Sequence, residues 1–148
     1  MSTLERAIAL AASAHSGQRD KAGKPYIFHP LRVMLSVESL EEQLAAILHD
    51  VVEDTSVTLD DLRVEGFPDS VIVAVDALTK RSGESRIDAA ARAAANPIAR
   101  RVKLADVRDN MDLSRIPNPG PRDYARLEEY KSVEALLRAA EHDGDPKQ

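Results

Sequence analysis

Twenty-two of the 148 residues are alanine, against two Phe, three Tyr and no Trp. This balance constrains the fold more than any other feature of the chain. Alanine is the best helix former, and its small side chain lets helices pack closely. Strands draw instead on β-branched and aromatic residues that fill a pleated surface. An all-α fold is therefore expected. A chain of this length forms one ordinary domain and buries roughly 70% of the surface its unfolded form exposes, so its core needs no disulfide. None can form, because the sequence holds no cysteine. Thiolate metal sites, iron–sulfur clusters and cysteine nucleophiles are excluded on the same ground.

Twenty basic residues stand against 25 acidic ones, a net charge of -5. No basic run of the kind that nucleic-acid binders carry is present. No apolar stretch reaches the ~18 residues of a membrane span, and the first residues lack a basic segment followed by an apolar core. No nucleic-acid or membrane partner is expected, and the cytoplasm is the default location.

Periodicity and punctuation predict about eight helices in one compact bundle over residues 1–148, with a polar tail from about residue 142. Leu4–Ala14 is an Ala-rich helix stopped near Gly17. Residues 17–29 read as a loop, and Pro30 fits the first turn of a second helix to about Val37. Glu41–Glu53 reads as a third, with Leu44, Ile47, Leu48 and Val51 on its apolar face. Thr58–Asp61 and Ser85–Asp88 have capping-box spacing. Pro68 opens a helix through Val71, Val75 and Leu78, and Asn96-Pro97 opens another to about Leu113. Residues 116–121 carry three prolines and a glycine and cannot be helical. A last helix runs from about Asp123 to Ala140.

Four polar residues interrupt apolar segments: His29, His49, Asp50 and Asp106. On a continuous third helix, His49 and Glu53 lie four apart, as do Asp50 and Asp54. Several acids at a helix C-terminus oppose the helix dipole, and buried carboxylates without partners are costly. A divalent cation would compensate. Two imidazoles and two carboxylates form a mixed nitrogen–oxygen set that suits manganese, iron or zinc and leaves open positions for catalysis. The expected place of the ion is near the middle of the second and third helices and the one carrying Asp106. Lys103 and Asn110 lie three and four residues from Asp106, on its side of that helix.

Three blocks then carry a resemblance: Ala14-His15-Ser16-Gly17-Gln18 through Gly23-Lys24-Pro25-Tyr26-Ile27-Phe28-His29-Pro30; Leu48-His49-Asp50-Val51-Val52-Glu53-Asp54-Thr55; and Lys103-Leu104-Ala105-Asp106. In this order the chain resembles the HD-domain metal-dependent phosphohydrolases. Within them it is similar to the (p)ppGpp hydrolase domains of RelA/SpoT type, in particular the small stand-alone alarmone hydrolases. The resemblance spans about residues 4 to 140. It implies one metal ion, usually manganese, held by His29, His49, Asp50 and Asp106. It implies that Glu53 and Asp54 activate the attacking water. Lys21 corresponds to a basic residue near the substrate and Asn110 to a nucleotide-contacting asparagine. Tyr26, Lys80 and Tyr130 fall at further substrate-side positions. The implied reaction hydrolyses the 3′-diphosphate of a guanosine tetra- or pentaphosphate to release pyrophosphate. A chain of this size leaves no room for a synthetase domain, so degradation alone is expected, and a homo-oligomer is compatible with it.

Two departures stand out. Asp20 occupies the place where many relatives carry an arginine that packs on guanine, with Arg19 one position early, which puts guanine selectivity in question. Asp109 stands where long relatives often have histidine. The alternatives are a phosphohydrolase acting on another nucleotide, such as a nucleoside monophosphate or a dinucleotide cofactor phosphate, and a metal-stabilised interaction module without turnover. His15 is expected to be structural, and Arg100, Arg101 and Arg108 to be surface charges.

Overall fold

The computed structural model describes residues 2–144, with side chains through Glu141. Among them are nine α-helices: α1 Leu4–Ala14, α2 Phe28–Leu35, α3 Leu40–Leu48, α4 Val51–Asp54, α5 Leu59–Glu65, α6 Asp69–Leu78, α7 Arg86–Ala94, α8 Pro97–Asn110 and α9 Pro121–Gly144. A 3-10 turn at Leu113–Arg115 separates the last two. The only β pairing among the described residues is an isolated bridge between Arg19 and Pro25. The all-α expectation holds. The expected tail from residue 142 is helical as far as Gly144, and the rest of it lies outside the described residues.

Most helices begin where the local chemistry sets a cap. The hydroxyls of Thr3, Ser39, Thr58 and Ser85 and the Asn96 amide oxygen each accept the backbone N–H three residues on, which satisfies an otherwise orphaned donor. Helix α9 begins at Pro121 rather than near Asp123. Proline is well suited to the first helical position, where its missing N–H costs nothing.

Helix α3 is the hub, in contact with α1, α2, α6 and α8. Ala45, Ala46, Ile47 and Leu48 are all completely buried. Two consecutive alanines let the neighbouring helices close in on both sides. A smaller cluster joins Ala90 and Ala94 of α7, Leu104 and Val107 of α8, and Val133 and Leu137 of α9. Helix α8 belongs to both cores, because its Ala99 and Val102 pack in the first. Asp106 is therefore carried on an element braced from two sides.

Two expectations are corrected. The helix expected over residues 41–53 is interrupted after Leu48 and resumes as the single turn α4. His49 Nδ1 donates to the Ala46 carbonyl at 2.5 Å, and the His49 N–H reaches that same carbonyl at 3.5 Å. The side chain thus competes for the last acceptors of α3. Arg100, expected on the surface, is buried, with 6% of its area exposed. Its guanidinium reaches the Ala94 carbonyl at the α7–α8 junction.

Candidate metal centre

The interruption after Leu48 builds the site. On a continuous helix, adjacent residues point about 100° apart. Here His49 caps α3 and Asp50 caps α4, and the two side chains converge, with Asp50 Oδ2 3.1 Å from His49 Nε2. His29 arrives from the first turn of α2 and Asp106 from α8. His29 Nε2 lies 2.8 Å from Asp106 Oδ1 and 3.9 Å from Asp50 Oδ2. His29, His49 and Asp50 therefore come from helix ends rather than from the middle of α2 and α3, while Asp106 lies inside α8. Nitrogen and oxygen atoms of His29, His49 and Asp106 lie within 4.8 Å of one another.

The ring orientations suit a cation. Because Nδ1 of His49 donates to a carbonyl, the neutral ring carries its lone pair on Nε2, the atom that faces the cluster. That Nε2 is buried and makes no hydrogen bond. Its distances of 3.1 Å to Asp50 and 3.5 Å to Asp106 bring charge close without a well-aligned bond. A buried nitrogen left in this way, facing two carboxylates and a second imidazole, fits a divalent ion.

The surroundings reinforce the pairings. Burial opposes the charge of Asp106, but Lys103, 3.0 Å away, and then the His29 hydrogen bond hold its carboxyl well below the usual range. Asn110 donates to the same carboxylate at 3.2 Å. Burial also opposes protonation of His29, yet hydrogen bonds to Asp106 and Asp109 lift it to about 9. The Tyr26 hydroxyl donates to Asp50 Oδ2. Burial, and then the Asp50 charge, push that phenol upward.

Glu53 and Asp54 gather near Asp50 in a second acidic group. Glu53 Oε1 accepts the Lys80 main-chain N–H at 2.7 Å. Asp54 is raised to about 6 by burial and then by the charges of Asp50 and Glu53.

All eleven residues singled out in the sequence line one cavity of about 470 Å³: the four ligand candidates, Glu53 and Asp54, and Lys21, Tyr26, Lys80, Asn110 and Tyr130. Arg86 and Arg126 line it too, and sequence reasoning missed both. Arg86 stacks on the Tyr130 ring, 5.0 Å from its centre. A smaller cavity of about 300 Å³ shares Lys21, Tyr26, His29, Asn110, Arg126 and Tyr130 with the first and adds Arg19 and Asp20. A larger one of about 780 Å³ holds none of the eleven.

Asp20 has a local role that the sequence hid. Its Oδ1 accepts the N–H groups of Ala22 and Lys24, both at 2.9 Å. The turn closes through Gly23, whose φ of +79° favours glycine. Arg19 donates to the Gly23 carbonyl at 3.0 Å. Asp109 was noted in the sequence only as a departure. It accepts His29 Nδ1 at 2.7 Å and Arg32 at 2.8 and 3.1 Å. Its place one turn beyond Asp106 was the available signal. His15 is buried, bonded to Gln18 and packed on Tyr26, in keeping with a structural role.

Known proteins resemble this chain in sequence and in fold. A GTP pyrophosphokinase of Streptomyces coelicolor is 44% identical over 81 residues, 52% of this chain and 9% of that protein. A guanosine-3′,5′-bis(diphosphate) 3′-pyrophosphohydrolase of Aquifex aeolicus is 40% identical over 81 residues, 52% of this chain and 12% of that one. The chain thus spans about a tenth of the length of these relatives. A solved structure of a metazoan ortholog of SpoT, described as hydrolysing ppGpp and playing a role in starvation responses, shares the fold. Its TM-score is 0.78 at 24% identity, over 95% of this chain and 88% of that one. A family model described as HD domain matches residues 7–111, a span that includes His29, His49, Asp50 and Asp106. The chain belongs to the HD domain family.

Proposed function

We propose that this chain hydrolyses the 3′-diphosphate of guanosine tetra- and pentaphosphate with one divalent ion, manganese by preference. The observation that carries the reading is the buried His49 Nε2, which makes no hydrogen bond and is set among His29, Asp50 and Asp106 in a cavity that also presents Lys21, Lys80, Arg86, Lys103 and Arg126. Beside its four carboxylates the cavity gathers five basic side chains, of which Lys103 is paired with Asp106, and with a cation offsetting the acids the others suit an anionic ligand there. The substrates named for the Aquifex and metazoan relatives are of that class.

His29, His49, Asp50 and Asp106 would hold the ion. When bound, it supplies positive charge against a phosphate oxygen and makes water more acidic. Asp54 takes the proton of the attacking water as general base. Water adds across the bond between the ribose 3′ oxygen and its phosphorus, so guanosine tetraphosphate yields GDP and pyrophosphate. Glu53 holds the Lys80 segment, and Tyr26 fixes the Asp50 carboxylate. The basic side chains neutralise the phosphates.

A nucleotide panel with added manganese tests the reading. Equimolar GDP and pyrophosphate from guanosine tetraphosphate are expected. So is a rise in Tm with manganese, on the order of 5–10 °C at a hundredfold excess over Kd, that His49→Ala abolishes. Turnover confined to nucleoside monophosphates or dinucleotide cofactor phosphates would transfer the assignment to those substrates. A Tm insensitive to every divalent ion would remove the metal from the reading.

A further inference from the structure

We infer that Asp109 is a positioning residue for the metal centre: it holds His29 so that Nε2 is the ligating atom. The inference rests on the proposed ion site and extends it to a side chain outside the ligand set. Asp109 Oδ2 receives His29 Nδ1 at 2.7 Å, across 80 residues of sequence. An imidazole whose Nδ1–H is fixed in this way can give only Nε2 to an ion, and in one ring orientation. His49 is fixed through Nδ1 as well, by the Ala46 carbonyl. The two ligand histidines are thus oriented by different means, one by backbone and one by a carboxylate.

Asp109 is itself held firmly. Arg32 grips both its oxygens in a two-point pairing, Nε to Oδ1 at 2.8 Å and Nη2 to Oδ2 at 3.1 Å. Arg115 donates to the Asp109 main-chain carbonyl at 2.8 Å and approaches Oδ1 at 3.4 Å. The planar guanidinium of Arg32 matches the carboxylate geometry, so the carboxylate cannot turn without breaking several charged contacts. The side chain of Asp109 is only 12% exposed, which keeps water from substituting for it. Arg32 and Arg115 both line the 300 Å³ cavity beside the ion site. The orientation of His29 is therefore tied to that cavity's wall as well as to α8.

The experiment compares zinc and manganese binding to the full chain by calorimetry for wild type, Asp109→Asn, Asp109→Ala and His29→Ala. Zinc also serves as a diamagnetic probe for proton NMR of the ring N–H groups. Loss of such an orienting partner typically lowers metal affinity about 10–100-fold. Asp109→Ala should fall in that range, and Asp109→Asn, which keeps an acceptor of the same shape, should fall less. In zinc-loaded wild type, protected Nδ1–H signals are expected from both His29 and His49. Asp109→Ala should lose the His29 signal and keep that of His49, which also shows that the variant is folded. Wild-type affinity together with a retained His29 signal in Asp109→Ala would overturn the inference while leaving the ion site intact. His29→Ala binding metal like wild type would overturn the ion site, and the inference with it.

Discussion

The carboxylate of Glu53 accepts the main-chain N–H of Lys80 at 2.7 Å, which ties the turn α4 to the segment after α6. Its neighbour Asp54 has no such engagement and carries a carboxyl raised to about 6. The two adjacent acids are therefore not equivalent. Asp54→Asn should lower kcat by ~10²–10⁴-fold, the usual scale of a general base, with metal binding intact. Glu53→Gln keeps an acceptor for Lys80 and should lose less. Glu53→Ala should also raise KM several-fold by releasing Lys80. Steady-state kinetics with manganese separates these effects, and wild-type turnover in Asp54→Asn would remove it as the base.

The same carboxyl makes stability depend on pH. Its folded-state pKa of about 6 lies above the ordinary 3.8 of an aspartate, because burial and the charges of Asp50 and Glu53 disfavour the anion. Its contribution to stability is complete below about pH 4 and is lost as pH rises through about 6. In chelator-treated protein, Asp54→Asn should therefore be more stable than wild type at pH 7–8, and the two should converge below about pH 4. Asp54 is exposed to solvent, which screens these charges, so the gain in Tm should be no more than a few degrees. Thermal melts across that pH range check the sign.

Asp20 invites replacement by the arginine that many relatives carry, and the sequence suggests that Asp20→Arg would improve guanine binding. The structure argues otherwise. The Asp20 carboxylate holds the N–H groups of Ala22 and Lys24, and arginine cannot accept them. Asp20→Arg and Asp20→Ala should both loosen the loop that presents Lys21 and raise KM several-fold. Asp20→Asn, which keeps the acceptor, should stay near wild type. A lower KM for guanosine tetraphosphate in Asp20→Arg, without the same change for its adenine counterpart, would contradict this account.

Much of the fold was legible because its determinants are local. The caps at Thr58, Ser85 and Asn96 act over three residues, and a proline cannot sit in a helix interior, so Pro117 and Pro119 keep their segment out of a helix while Pro121 opens one. The run Val71–Val73 has strand-like composition, yet it lies in α6, where Val71 and Ile72 are buried and Val73 faces solvent. The alanine and valine spacing of the whole segment outweighed the three-residue preference. The end of the third helix was not legible. Residues 49–53 continue the apolar period of α3, and the break depends on the His49 ring taking the Ala46 carbonyl.

The sequence by itself determined the helical class, most helix starts and the short set of residues able to carry metal chemistry. Each follows from rules that operate within a few residues, or from side chains too polar for their apolar surroundings. The tertiary structure alone decided how those residues meet. His29 finds Asp106 and Asp109 across 77 and 80 residues because α2 packs on both α3 and α8, and no local signal encodes that crossing. It also decided that Asp109 bonds the His29 ring, that Asp20 holds its own loop and that Arg100 lies inside. A charged side chain is drawn alike in sequence whether it faces water or a partner. Only packing determines which of the two it meets.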